Sequence, residues 1–221
     1  EIHMQPLEGS DGTRINVGTD VLIVEKRGVT VTVEPLDEVE LFELTDDQRI
    51  NPYISVDRWG NVESLYTIFE ITVRNTENKR VIIGETAILI DEYGGQYASL
   101  PYDYFKSLHD DLRLQPIWDH SNSNNFRYYN SAYFADYRVY HDHPVARARK
   151  ESRIFIRESV FDGSKLFPGA KQMGLLIFER LDAAATNVRV VVPEVHITNE
   201  QGNQYNLNFE FKFRQVVAVG E

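Results

Sequence analysis

Alternation of apolar and polar residues with a period of two limits this chain more than any other feature. Val29, Val31 and Val33 alternate with Thr30, Thr32 and Glu34. Phe69, Ile71 and Val73 alternate with Glu70, Thr72 and Arg74. Leu207, Phe209, Phe211 and Phe213 alternate with Asn208, Glu210, Lys212 and Arg214. Successive side chains of a strand point to opposite faces, so each stretch has one face for a core and one for water. Antiparallel sheets have this pattern. The odd-numbered apolar residues are expected inside and their even-numbered partners outside. Continuous apolar runs at Val21–Val24, Ala87–Ile90, Leu175–Phe178 and Val188–Val192 read as strands buried in a sandwich core.

The punctuation fits. Asn75–Lys79, Tyr93–Gln96 and Asn199–Asn203 each separate strand-like runs, and Gly and Asn accept positive φ at turns. About eight strands are expected, in a two-layer β-sandwich from about Thr19 to Val219 that forms one all-β domain over 19–221. Residues 1–18 are expected to lie outside it. Glu1–Met4 look like a scar left by cloning, and the Gly-, Ser- and Asp-containing stretch after them looks like a flexible tether. A trimmed export leader with a lipidated Cys is the expectation for what preceded it, with any membrane attachment through that lipid alone. A disordered start in a cytosolic protein is the alternative.

The alternation fades between about 103 and 162, which reads as an insertion. Pro144 sits where a helix can begin, and Val145–Phe161 is rich in Ala, Arg, Lys and Glu. Ile154, Phe155, Ile156, Val160 and Phe161 allow one helical face, with Asp162-Gly163-Ser164 as its end. A helix is expected, and a strand at Arg153–Glu158 is the competing reading. The insertion and the stretch just before it also collect aromatic residues. Nine of the 12 Tyr lie from Tyr93 to Tyr140, joined by Phe105, Trp118, Phe126 and Phe134. Three readings stay open: packing onto the sandwich as a secondary core, a surface for a protein partner, and a glycan or small-ligand site. Trp118, Tyr128, Tyr129 and Tyr133 are the expected binding residues, because polar residues flank them and no alternating face claims them.

Other chemistries find little support. The net charge of −11 argues against nucleic acid as a main partner. With no Cys, thiol catalysis, cysteine zinc sites and disulfides are excluded. His141-Asp142-His143 is the sharpest local cluster, since His141 and His143 at i, i+2 share one side of an extended strand. His120 with Asp119, and His109 with Asp110 and Asp111, are candidates to complete a metal shell. An exposed polar turn before Pro144 is the simpler reading. No phosphate loop, nucleophile elbow or zincin motif is present, and no spacing singles out a carboxylate pair. No catalysis and no cofactor are expected.

Two segments carry a resemblance. Phe69–Thr76 followed by a strand ending in Asp91–Gly95, and Leu166–Gly169 followed by Gly174–Glu179, resemble the immunoglobulin-like, telokin-like β-sandwich domains of bacterial secreted antigens and lipoproteins. The resemblance implies a strand that turns at an Asn corner and a Pro-Gly turn that feeds a strand packed opposite it. It covers about half the chain and bears on fold more than on function. Most members of that group have no established enzymatic activity, so it supplies no catalytic residues. Together these readings describe a non-catalytic bacterial cell-envelope protein that binds or scaffolds a protein partner. A carbohydrate-binding module and a metal-handling protein at His141 and His143 are the alternatives.

Overall fold

A computed structural model describes residues 2–7, 13–16, 19–46, 50–112 and 144–217. Two antiparallel sheets form the sandwich. The first joins β12 (Lys171–Glu179), β7 (Tyr66–Asn75), β4 (Val29–Pro35), β3 (Leu22–Lys26) and β2 (Thr13–Ile15), in that order. In the second, β1 (Ile2–Pro6), β14 (Gln204–Val217) and β13 (Asn187–Thr198) lie side by side. The far edge of β13 pairs with β8 (Arg80–Ile83) at one end and β9 (Ile88–Asp91) at the other. A bulge between Val192 and Val195 separates those two partners, with Glu194 at φ 55°. The short strands β10 (Gln96–Ala98) and β11 (Ser164–Leu166) extend β9 and β8.

The alternation decides what lies between the sheets. Val29, Val31, Val33, Phe69, Ile71 and Val73 face Val188, Val190, Val192, Phe209, Phe211 and Phe213 in one core, all buried. Phe69 meets Phe213 across the sheets with ring centroids 5.1 Å apart. The even-numbered partners are half-buried or exposed, as the pattern predicts, and only Leu207 on the apolar side is less than fully buried.

The expectation of two layers is incomplete. A third layer covers the outer face of β7 and β12. It consists of α1 (Glu38–Glu43), a hairpin of β5 (Ile54–Val56) and β6 (Val62–Ser64), α2 (Tyr102–Leu112) and α3 (Pro144–Ser159). Leu41, Tyr53, Phe105 and Ile156 form a second core with Ile68, Leu175 and Ile177 from the sheet. Gly174 to Phe178 is buried without a break because both faces of β12 are covered. At Val188–Val192 the same sort of apolar run alternates between buried and more exposed residues, since that sheet has one wet face. The helix expected near the end of the insertion is α3, not a strand, whereas α1 and α2 were not expected.

The tether expected over residues 1–18 also needs correction. β1 runs antiparallel to the edge of β14, from Ile2 opposite Val217 to Pro6 opposite Phe213, and Met4 is buried in the sandwich core. β2 pairs with β3 from Thr13 opposite Val24 to Ile15 opposite Leu22. Each covers an edge whose backbone groups need partners. The polar composition concealed this pairing.

Candidate functional site

Trp118, Tyr128, Tyr129, Tyr133, His141 and His143 lie outside the described residues, as do Asp119 and His120. His109, Asp110 and Asp111 fall in the last turns of α2. The structure does describe how the insertion is rooted. α2 leads into it and α3 leads out, and both pack on the outer face of β7 and β12 through the second core. The Phe105 ring sits edge-on to Tyr53, Tyr66 and Tyr104, with centroids 5.2 to 5.8 Å apart. The Tyr53 hydroxyl shares a 2.7 Å hydrogen bond with Ser159 Oγ at the end of α3. Burial pushes that hydroxyl's pKa up, so it stays protonated and able to donate. At the insertion's base, then, Phe105 is buried in the second core and Tyr102 and Phe155 pack against it.

Among the described rings, two are the most exposed. Trp59 is 74% exposed at the tip of the β5–β6 hairpin, and Tyr93 is 75% exposed at the tip between β9 and β10. The same turn holds both. Asp57 Oδ1 accepts the amides of Trp59 at 2.7 Å and Asn61 at 2.9 Å; Asp91 Oδ1 accepts those of Tyr93 at 2.9 Å and Gly95 at 2.7 Å. Gly60 and Gly94 follow at φ 85° and 87°, where a side chain would be strained. The spelling Asp-x-aromatic-Gly thus fixes the backbone under each ring. The Arg58 guanidinium lies 4.5 Å from the Trp59 ring centroid. Trp59 was missed as a candidate although the repeated spelling, Asp57-Arg58-Trp59-Gly60 and Asp91-Glu92-Tyr93-Gly94, is visible in the sequence.

A cleft of about 380 Å³ opens where α1 begins, with His3, Asp20, Glu34, Glu38, Tyr66 and Arg180 among the residues that line it. Its carboxylates come from the loop before β3 (Asp20), from β4 (Glu34) and from α1 with its cap (Asp37, Glu38 and Glu40). Burial chiefly, then the charges of Glu40, Glu70 and Asp20, hold the Glu34 carboxyl above the usual carboxylate range. Arg180, in the same wall, is paired with Glu63. Such a cavity attracts cations and resists anions. Among the described residues no group of three or more His, Asp or Glu is placed to hold a metal. No helix among them is long and apolar enough to cross a membrane.

Neither a family model, a curated protein nor a solved structure matches this chain.

Proposed function

We propose that this protein is an exported, non-catalytic binding protein of the bacterial cell envelope. Its β-sandwich, immunoglobulin-like in type, presents an aromatic-rich insertion to a protein partner. The observation that carries the reading is the root of the insertion. Phe105 and Ile156 are 1% and 0% exposed, so both helices that bound residues 113–143 are anchored in a core of their own. A fixed base lowers the ordering cost of whatever contact the intervening rings make. The envelope assignment rests on the resemblance to bacterial secreted antigens and lipoproteins.

Single alanine variants at Trp118 and Tyr128 in the full chain test the reading. An unchanged melting temperature with loss of a partner captured by the wild type supports recognition. A large drop in melting temperature in both variants, with no partner held by the wild type, leaves only a packing role.

A glycan is the second candidate ligand, favoured by Trp59 and Tyr93. Both are broad exposed rings on fixed turns, suited to stack on a sugar. Tryptophan fluorescence in a Trp118→Phe background isolates Trp59, and a saturable change with one class of oligosaccharide would support this reading. The metal-handling alternative at His141 and His143 is decided by zinc titration of the wild type against the double alanine variant.

A further inference from the structure

The helical layer carries two outward faces of opposite character. In α3, Ser152 and Ile156 turn inward and are buried; Glu158 is exposed, and so are Lys150, Ile154 and Arg157. Their spacing of four and three residues places them on one stripe along the helix. The sequence of α3 holds five basic residues and two acidic ones, in a chain of net charge −11. In α1, Leu41 is buried while Val39 and Glu43, one turn apart, are exposed. This helix has Glu38, Glu40 and Glu43 and no basic residue. Each stripe carries an exposed apolar residue: Ile154 is 48% exposed and Val39 is 59% exposed.

Both helices belong to one layer. Leu41 and Ile156 share the second core, and Tyr53 ties the two sides together. Its hydroxyl bonds Ser159 of α3, and its amide donates to Asn51 Oδ1, whose Nδ2 in turn donates to the Leu41 carbonyl at 2.7 Å.

We infer that this layer is a self-complementary interface: a second copy of the chain docks face to face about a twofold axis, the basic stripe of α3 in one protomer against the acidic stripe of α1 in its partner. Twofold pairing uses the same patch on both protomers and makes every contact twice. It brings Lys150 and Arg157 towards Glu43 and lets Ile154 meet Val39, at two symmetric places. A flat anionic surface suits the layer less well, because it would meet the α1 carboxylates together with the α3 cations. The same holds for an acidic partner lying across both helices. The inference is independent of the function proposed for the aromatic insertion.

Sedimentation velocity of the full chain over a concentration series, in low salt, tests it. The wild type should show a reversible monomer–dimer equilibrium. Lys150→Glu with Arg157→Glu should weaken it by roughly a hundredfold, because each reversal acts at both symmetric contacts. Adding Glu43→Lys to that double variant should restore most of the association. These side chains are exposed, and an unchanged melting temperature in each variant confirms an intact fold. A wild type that stays monomeric throughout overturns the inference. So does a dimer indifferent to the double reversal, or one that Glu43→Lys does not rescue. Binding of a monomeric wild type to phosphatidylglycerol vesicles through Lys150 and Arg157 would also overturn it, and would assign the stripe to a membrane.

Discussion

Glu92 shows how much one carboxylate can organise. It receives hydrogen bonds from the Thr186 hydroxyl, the Asn187 side-chain amide and both backbone amides, joining the β9–β10 tip to the start of β13. These bonds, the Thr186 hydroxyl's foremost, lower its pKa from 4.5 to about 2. A depressed carboxylate stabilises the folded state above its unfolded pKa and loses that stabilisation as pH falls through its folded one. Glu92→Gln should therefore melt below the wild type at neutral pH, with the gap closing between about pH 4.5 and pH 2. A gap that stays constant over that range would show that the bonds do not depend on charge. Glu34 has the opposite sign. Its raised pKa, set mainly by burial, opposes folding above that value, and the penalty fades as pH falls. Glu34→Gln should raise the melting temperature at pH 7 and leave it nearly unchanged at pH 4. No gain at pH 7 would mean that solvent screens the cleft charges.

Among the elements, the turn that follows β7 is the most tightly specified. Asn75 is fully buried, and its Nδ2 donates to the carbonyls of Asn78 and Leu166 while its Oδ1 accepts the Asn78 amide. Asn78 Nδ2 reaches the Arg27 carbonyl at 2.7 Å, and the Ala170 carbonyl accepts the Asn75 amide at 3.0 Å. Three loops are thus clamped by two side chains. Asn75→Ala strands buried carbonyls and should cost about 2–4 kcal/mol, read from chemical denaturation; a cost under about 0.5 kcal/mol would show that water replaces the clamp. An Asn corner was legible in the sequence as a turn, but not as a clamp, because its partners lie 51 and 91 residues away. Alternating strands were legible for the same reason that they are strands: the core takes every second residue. The helix α1 was not, since Glu38-Val39-Glu40-Leu41 also alternates like a strand. Its capping box, Asp37 with Glu40, is what settles the helix. Gly174 is an equally local determinant. A Cβ there would come within 2.8 Å of the Phe161 Cα, where the chain leaves α3 and bridges to Leu175. Gly174→Ala should cost about 1–3 kcal/mol and loosen the end of α3 first.

At the scale of the molecule, one sheet serves two cores, and this makes a claim about cooperativity. Phe209 and Phe211 belong to the core between the sheets; Phe105 belongs to the core beneath the helices. All three are nearly inaccessible to water, so truncation of any one to Ala should cost about 3–5 kcal/mol through lost burial and the cavity left behind. The cost should fall in different places. β13 and β14 are long, paired with each other over most of their length, and lie in the other sheet from the one the helical layer covers. The helical layer touches the rest mainly through one face of β7 and β12, so it can open while the sandwich stays closed. In native-state hydrogen exchange, Phe105→Ala should lower protection in α2 and α3 and leave amides of β13 and β14 at wild-type values. Phe211→Ala should lower protection throughout, because the layer has no support without its sheet. Equal loss of protection in β13 and in α3 on removing Phe105 would mean that both cores form one cooperative unit. Separate loss would show that the insertion stands on a platform able to yield without unfolding the sandwich below it.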